Sequence, residues 1–160
     1  MIATLEDCPV DTITVDTMIK GPIEVPADKV ITLVGPLLGF EHLKRWIIYQ
    51  TDAGPLYWLQ AVEDRRAAFC LIAPFQAGIK VDMDITPADA HDIGAASADQ
   101  IDVYTVVVLD NDPGQIRTNL AAPILVSARS GLGKQVVLED PRLPIRFLLK
   151  DLGKGGAKAG

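Results

Sequence analysis

The sequence has few of the residues that support redox, metal or disulfide chemistry. Its 160 residues include two Cys, two His and nine aromatic side chains. Small secreted scaffolds are dense in cysteine, so two cysteines exclude a disulfide framework. Cys8 lies in a polar stretch, whereas Cys70 lies in an apolar run, where a free thiol behaves as a small buried hydrophobe. A chain of this length fits one domain and buries roughly two-thirds of its unfolded surface, so it folds without a disulfide or a metal.

Basic residues and long hydrophobic runs are also scarce. The 15 Lys and Arg against 21 Asp and Glu give a net charge of −6, and general nucleic-acid binding needs a positive surface instead. The longest apolar stretch, residues 67–75, is far shorter than the roughly 20 residues that cross a bilayer. Residues 1–10 contain Glu6 and Asp7 but no basic residue, unlike a secretory signal. We therefore expect a cytoplasmic protein that binds neither membranes nor nucleic acid directly.

Helix signals are confined to one short segment. Thr86 fits an N-cap, Pro87 suits the first helical position and Gly94 can end the helix, which predicts a helix near residues 87–93. The clearest polar–apolar alternation, residues 80–85, predicts a strand. Residues 141–149 contain Pro144 and predict an extended edge.

These patterns predict an all-β fold. Short alternating runs separated by turn signals favour a single small antiparallel β-barrel of about 9–10 strands, or a β-sandwich, and closure into a barrel removes the exposed edges of a sheet. We assign residues 1–11 to a flexible N-terminal extension, residues 12–149 to the barrel and residues 150–160 to a disordered tail rich in Gly and Lys.

A catalytic or metal-binding set is difficult to assemble from the sequence. Neither His42 nor His91 accompanies a nucleophile motif such as G-x-S-x-G. Asp89, His91 and Asp92 do not converge on one helix face, so we expect no metal and no cofactor. One alternative stays open, because catalytic groups converge in space rather than in sequence: a small-molecule-binding β-barrel, or an enzyme that uses His42 or Cys70.

Five short motifs follow one another along the chain. They are residues 35–41 (Gly-Pro-Leu-Leu-Gly-Phe-Glu), 56–64 (Leu-Tyr-Trp-Leu-Gln-Ala-Val-Glu-Asp), 119–124 (Asn-Leu-Ala-Ala-Pro-Ile), 133–140 (Gly-Lys-Gln-Val-Val-Leu-Glu-Asp) and 144–146 (Pro-Ile-Arg). In their order and spacing, from about residue 12 to residue 148, they resemble the flagellar assembly factor FliW family of bacteria. Each motif alone is weak evidence, whereas five in order are specific.

The resemblance implies a small cytoplasmic β-barrel protein without enzymatic activity. Members of the family bind newly made flagellin, and they also bind and antagonise the carbon storage regulator CsrA, an RNA-binding translational repressor. Flagellin that accumulates takes up the factor, so the repressor is freed and flagellin translation falls. The implied partners are therefore flagellin and CsrA, and the favoured oligomeric state is a monomer.

Two acidic pairs at predicted strand ends are candidate partner contacts. Glu63–Asp64 and Glu139–Asp140 lie at corners, where a rigid barrel presents recognition residues. An exposed carboxylate pair suits a basic partner and adds association rate and orientation more than affinity. The alternative is that both pairs are ordinary polar turns.

Further candidates are an aromatic residue and three polar residues close to apolar segments. Phe40 is either an exposed anchor for a partner or a plug of the core beneath its loop. Gln135 and Arg146 are either contacts or hydrogen-bonded structural groups, and for Asn119 we favour the structural role.

Overall fold

A computed structural model describes residues 11–35, 37, 39–50 and 54–152. These ranges contain one α-helix, α1 (Pro87–Asp92), and eleven short strands. The strands are β1 (Thr12–Thr17), β2 (Gly21–Pro26), β3 (Ile31–Leu33), β4 (Arg45–Tyr49), β5 (Leu56–Ala61), β6 (Ala68–Ile72), β7 (Asp102–Val108), β8 (Arg117–Thr118), β9 (Ile124–Ser127), β10 (Leu132–Gln135) and β11 (Phe147–Leu148).

Seven of the strands close into a barrel, which confirms the predicted fold. The sheet runs β7-β6-β5-β4-β3-β10-β9, and β9 pairs back with β7. A ring with an odd number of strands cannot alternate direction throughout, and here β3 and β10 form the parallel pair. The other pairs of the ring are antiparallel, as predicted. Strands β8 and β11 extend the sheet beyond β7, and β1 pairs with β2 in a separate hairpin.

The barrel interior is filled by the alternate side chains of its strands. The inward-facing core contains Trp46, Leu59 and Leu71, each at most 1% exposed, packed with residues of β3 and β9. The loop after β3 closes one end, since Leu37 and Leu43 are buried there and belong to the same core. This packing leaves the middle of the barrel as a solid apolar core.

Helix α1 covers the outside of the barrel, and its ends form as the sequence predicts. The Thr86 hydroxyl accepts a hydrogen bond from the Asp89 amide at 3.1 Å, and Gly94 follows the helix with a φ of 72°. Ala90 and Ile93 pack against Leu125 and its neighbours on the outer face of the sheet. A helix of six residues is stable here because of this packing rather than its own propensity.

Residues 80–85 do not form the predicted strand. They are extended, and no ladder partner pairs with them in the described part of the chain. The alternation is nevertheless real: Val81, Met83 and Ile85 are half-buried against the side of the barrel, whereas Asp82 and Asp84 are exposed. The alternation indicates which face of the segment is buried. A β-strand also needs a neighbouring strand at hydrogen-bonding distance, which alternation alone does not predict.

The C-terminal segment agrees with the predictions in part. Of residues 141–149, Phe147–Leu148 form a strand, and it lies at the sheet edge as predicted. Residues 150–152 were assigned to the tail, but Leu149–Asp151 form a 3-10 helix and Leu152 packs against two apolar clusters. The packed structure therefore continues to Leu152. Residues 1–10 of the predicted extension and residues 153–160 of the tail lie outside the described residues.

Gly133 is required by close packing inside the barrel. A Cβ atom there would lie 3.0 Å from the Leu125 carbonyl oxygen and 3.2 Å from Ile31 Cγ2. We expect Gly133→Ala to lower the free energy of unfolding by about 1–3 kcal/mol, because a packed core relaxes poorly around an added methyl group. Gly35→Ala is the matched control, since nothing lies within 4 Å of its Cβ position. Equal denaturation midpoints for the two variants would contradict this account of Gly133.

Candidate functional site

The strand directions bring the predicted contact residues to one end of the barrel. Strands β3, β5, β7 and β10 run in one direction, and β4, β6 and β9 run in the other. The loop 34–44, the corner 62–67 and the chain that follows β10 therefore all leave the barrel at the same end, which we call the motif end. Four of the five sequence motifs contribute residues to it.

The corner 62–67 is held in place by a buried amide that the sequence analysis did not single out. Gln60 is 0% exposed, and its Nε2 donates to the carbonyl oxygens of Asp64 and Arg65 at 3.1 Å each. Its Oε1 accepts a hydrogen bond from the Met18 amide at 2.9 Å. One side chain therefore fastens the corner to the tip of the β1–β2 hairpin. The available signal was a polar residue inside the otherwise apolar Trp58–Ala61 stretch.

The carboxylates of the corner are paired with arginines. Glu63 forms a salt bridge with Arg45, whose Nε donates to the carboxylate at 2.6 Å. Asp64 lies 3.8 Å from Arg66, and its Oδ1 accepts the Arg66 amide at 3.0 Å. The neighbouring Arg65 lies 3.6 Å from Asp16 of the hairpin. Three arginines thus balance three carboxylates, and the corner is close to neutral.

The second acidic pair lies in a loop that is anchored at both ends. The Leu138 amide donates to the Ala121 carbonyl at 2.7 Å, and the Leu120 amide donates to the Pro144 carbonyl at 2.9 Å. We call residues 138–144 the acidic loop. Because its ends are tied to two consecutive residues, the loop holds Glu139 and Asp140 at a fixed place on the barrel surface.

The acidic loop joins carboxylates from two other segments. A groove of about 460 Å³ is lined by Asp84, Asp89, Glu139 and Asp140, together with Arg142. The hydrogen bond to Asp140 raises the pKa of Arg142, and the charge of Asp82 adds to this shift. We call this the acidic surface. It contains six carboxylates and two cations: Asp82, Asp84, Asp89, Asp92, Glu139 and Asp140 against Lys134 and Arg142.

Lys134 forms ion pairs with the two aspartates that helix α1 contributes to the acidic surface. Its ammonium lies 2.8 Å from Asp92 Oδ2 and 3.3 Å from Asp89 Oδ1. The hydrogen bond from Lys134 lowers the pKa of Asp92, and the hydrogen bond to Asp92 in turn raises the pKa of Lys134. Lys134 and Asp92 therefore keep their charges at neutral pH, and the formal charges of the six carboxylates and two cations sum to −4.

The remaining predicted contact residues have different environments. Phe40 is half-buried, and its ring packs edge-on against Phe69 at a centroid distance of 5.1 Å. Gln135 is half-buried and donates to the Ala122 carbonyl at 3.3 Å. Arg146 is exposed, and its guanidinium makes no ion pair with any described residue. Asn119 accepts a hydrogen bond from the Ala121 amide at 2.9 Å, which is the structural role favoured above.

Two strongly exposed apolar side chains flank the acidic loop. Val137 is 74% exposed and Ile145 is 65% exposed, the highest values among the large apolar residues the structure describes. Val137 also lines the groove of the acidic surface. Apolar side chains surrounded by charged groups are typical of protein interfaces, in which an apolar centre has a polar rim.

Neither residue of the proposed enzymatic alternative lines one of the principal clefts between the described residues. Cys70 is 6% exposed and faces outward into a cluster with Ile72 and Val107, and burial raises the pKa of its thiol. His42 is exposed in the loop at the motif end. Among the described residues, no three His, Cys, Asp or Glu side chains are placed to hold a metal ion. Within the same residues, no helix is long and apolar enough to span a membrane.

Arg142 fixes the charge of the acidic loop. It donates to both carboxylate oxygens of Asp140, at 3.0 and 2.8 Å, and lowers the pKa of Asp140 to about 2 from an ordinary value of 3.8. Because the folded pKa is depressed, the pair stabilises the loop above about pH 4, and this contribution is lost as the pH falls towards 2.

We expect Arg142→Gln to return the pKa of Asp140 towards 3.8, as measured by NMR titration of its carboxyl carbon, because both guanidinium hydrogen bonds are removed. Arg146→Gln is the control and leaves the Asp140 pKa unchanged, since Asp140 is paired with Arg142. An Asp140 that still titrates near pH 2 in the Arg142→Gln variant would show that the arginine is not the cause.

The fold and the site together define a seven-stranded β-barrel whose irregular loops meet at one end and carry a charged surface. The FliW protein family model matches residues 14–149. The chain therefore belongs to the FliW family, a family of flagellar assembly factors. This confirms the resemblance carried by the five motifs.

Individual relatives give the same result. The chain is 33% identical over 135 residues to a flagellar assembly factor FliW of Caldicellulosiruptor saccharolyticus, covering 84% of this chain and 89% of that protein. It is 31% identical over 152 residues to a FliW of Magnetococcus marinus, covering 88% and 94%. A crystal structure of the flagellar assembly factor FliW superposes with a TM-score of 0.78 at 23% identity, covering 86% of this chain and 96% of that chain, and it shares the fold.

Proposed function

We propose that this chain is a flagellar assembly factor that acts by binding, without chemistry, as a switch between two protein partners in the cytoplasm. One partner is newly made flagellin, and the other is the translational regulator CsrA, whose repression of flagellin translation it antagonises. The support is membership of the FliW family together with the partners that the motif resemblance implies.

The observation that carries the proposal is the acidic surface. An RNA-binding repressor must present basic groups to phosphate. Six carboxylates against two cations form a complementary surface on this chain. Such complementarity speeds encounter and sets orientation. An acidic protein can thereby act on RNA indirectly, by binding the basic protein that binds the RNA.

The exposed apolar pair adds contact area at the same place. Val137 and Ile145 flank the acidic loop, so a partner that covers the loop also covers them. Burying these two side chains removes apolar surface from water, which supplies affinity that exposed charges alone do not give. The predicted contact residues nearest to Val137 and Ile145 are Glu139, Asp140 and Arg146. We propose that these three residues form the polar rim around the exposed apolar pair.

The other predicted contact residues have secondary roles in this proposal. Glu63 and Asp64 are paired with arginines, so the corner offers a balanced surface rather than an acidic one. Phe40 packs against the core, and Gln135 is bonded to the main chain. We propose that these four residues shape the motif end, and that any partner contact they make is through neutral or hydrogen-bonding groups.

Isothermal titration calorimetry with purified flagellin and CsrA from the same organism tests the proposal. We expect each protein to bind this chain with a saturable heat, because a switch needs affinity for both partners. Fluorescently labelled chain in a pull-down from a flagellin-deficient extract supplies the second measurement, with CsrA expected in the bound fraction. Binding to neither purified partner would refute the proposed function.

A further inference from the structure

Between the described residues, the end of the barrel opposite the motif end is open. A cleft of about 840 Å³ lies there, lined by the starts of β3, β5, β7 and β10 and by the ends of β4 and β9. We call it the barrel mouth. Its volume is within the range of about 300–1,000 Å³ typical of small-molecule sites, and barrel mouths are a common place for them.

The inner wall of the barrel mouth is aromatic and apolar. The rings of Tyr57 and Tyr104 pack edge to face at a centroid distance of 5.2 Å. Ile48 and Val126 line the cleft beside them. The Tyr57 hydroxyl donates to Gln76 Oε1 at 2.9 Å, which fixes that ring. The wall is therefore a preformed apolar surface suited to a ring or a branched aliphatic group.

One buried polar group of the barrel mouth lacks a partner within the described part of the chain. The hydroxyl of Tyr49, which lines the cleft, is buried and makes no hydrogen bond there. Burial and the neighbouring Asp102 raise the pKa of Tyr104 to about 12, so its hydroxyl stays a neutral donor. A buried hydroxyl without a partner costs free energy, and a ligand oxygen or nitrogen would remove that cost.

Charges of both signs surround the opening. Lys29 and Arg129 lie on adjacent segments, since the Thr32 amide donates to the Gly131 carbonyl at 2.9 Å. Asp102 is on the same face of β7 as Tyr104 and pairs with Val126 of β9. Asp28, next to Lys29, also lines the cleft. None of these four rim groups forms a salt bridge with any residue that the structure describes.

We propose that the barrel mouth binds a small zwitterion with a large apolar body, the chemistry of a free aromatic amino acid. The ring lies against Tyr57 and Tyr104, the ammonium faces Asp102, and the carboxylate faces Arg129 and Lys29. The residues that line this site differ from those that line the groove of the acidic surface, so it is separate from the proposed binding of CsrA and flagellin.

NMR titration of the labelled full chain with L-phenylalanine tests this proposal. We expect saturable shifts of mouth residues such as Gly131, and weaker binding of phenylacetate and phenethylamine, each of which lacks one charged group. Glycine, which lacks the ring, is expected not to bind. Arg129→Glu should weaken L-phenylalanine binding by about tenfold or more, because it replaces the cation that faces the carboxylate with an anion. Arg146→Glu, at the opposite end, should leave it unchanged.

Two results would overturn the proposal. One is the absence of shifts with L-phenylalanine at millimolar concentration. The other is binding that Arg129→Glu and Tyr57→Leu leave unchanged, while circular dichroism shows that both variants are folded. Calorimetry of the Arg129→Glu variant with CsrA distinguishes failure of this proposal from failure of the proposed function. CsrA should bind this variant as it binds the unmodified chain, because CsrA binding should not depend on the barrel mouth.

Discussion

Replacing Gln60 with leucine is expected to lower the free energy of unfolding by about 2–4 kcal/mol, one of the largest effects of any single substitution in this chain. Gln60 is 0% exposed and bonds to the main chain of Met18, Asp64 and Arg65. Leucine has a similar volume, so the loss comes from main-chain groups left without their partner rather than from a cavity. Urea denaturation followed by circular dichroism measures it.

Gln50→Leu is the matched control for this substitution. Gln50 is exposed, and its side chain donates a hydrogen bond to the nearby Gly54 carbonyl at 2.5 Å. We expect a change of at most about 0.5 kcal/mol, as for other exposed positions. Similar losses for the two variants would show that Gln60 does not organise the corner. Protease cleavage within residues 62–67 should also increase only in the Gln60 variant.

Reversing two charges of the acidic surface is expected to slow association with CsrA by about tenfold or more at low salt. The double variant Asp84→Lys with Glu139→Lys removes two carboxylates that line the groove and form no salt bridge with a described residue. The rate of dissociation should change less, because long-range attraction acts mainly before contact. Surface plasmon resonance separates the two rates, and added salt should narrow the difference from the unmodified chain.

The double variant Glu63→Lys with Asp64→Lys is the control, because it makes the same change in net charge at the corner. There the carboxylates are already balanced by Arg45, Arg65 and Arg66. We expect a smaller reduction in association rate than at the acidic surface. A larger reduction in association rate for the corner variant would contradict a CsrA contact at the acidic surface and would indicate a contact at the corner instead.

The barrel and its helix could be predicted because the relevant signals are local. Thr86, Pro87 and Gly94 determine both ends of α1 within a few residues. Alternation correctly separates half-buried Val81 and Met83 from exposed Asp82, yet it cannot supply a pairing partner. A ring of seven strands needs one parallel pair, which is β3 with β10, because an odd number of strands cannot all alternate in direction. No local sequence pattern gives the number of strands in the ring.

The candidate site could be predicted less well, because charge depends on neighbours distant in sequence. Glu63 appears as half of an acidic pair in the sequence, but Arg45, 18 positions earlier, neutralises it. Glu139 gains carboxylates from residues 82–92, which fold onto the same surface. The two acidic pairs are thus alike in sequence and unlike in electrostatic environment.

The most direct test of the central claim is translation in vitro of a reporter that carries the flagellin leader. With CsrA added, translation should be repressed. Addition of this chain should restore it, and flagellin added in excess should repress it again, because flagellin takes the chain away from CsrA. Repression by CsrA that this chain leaves unchanged, at concentrations well above that of CsrA, would contradict the account.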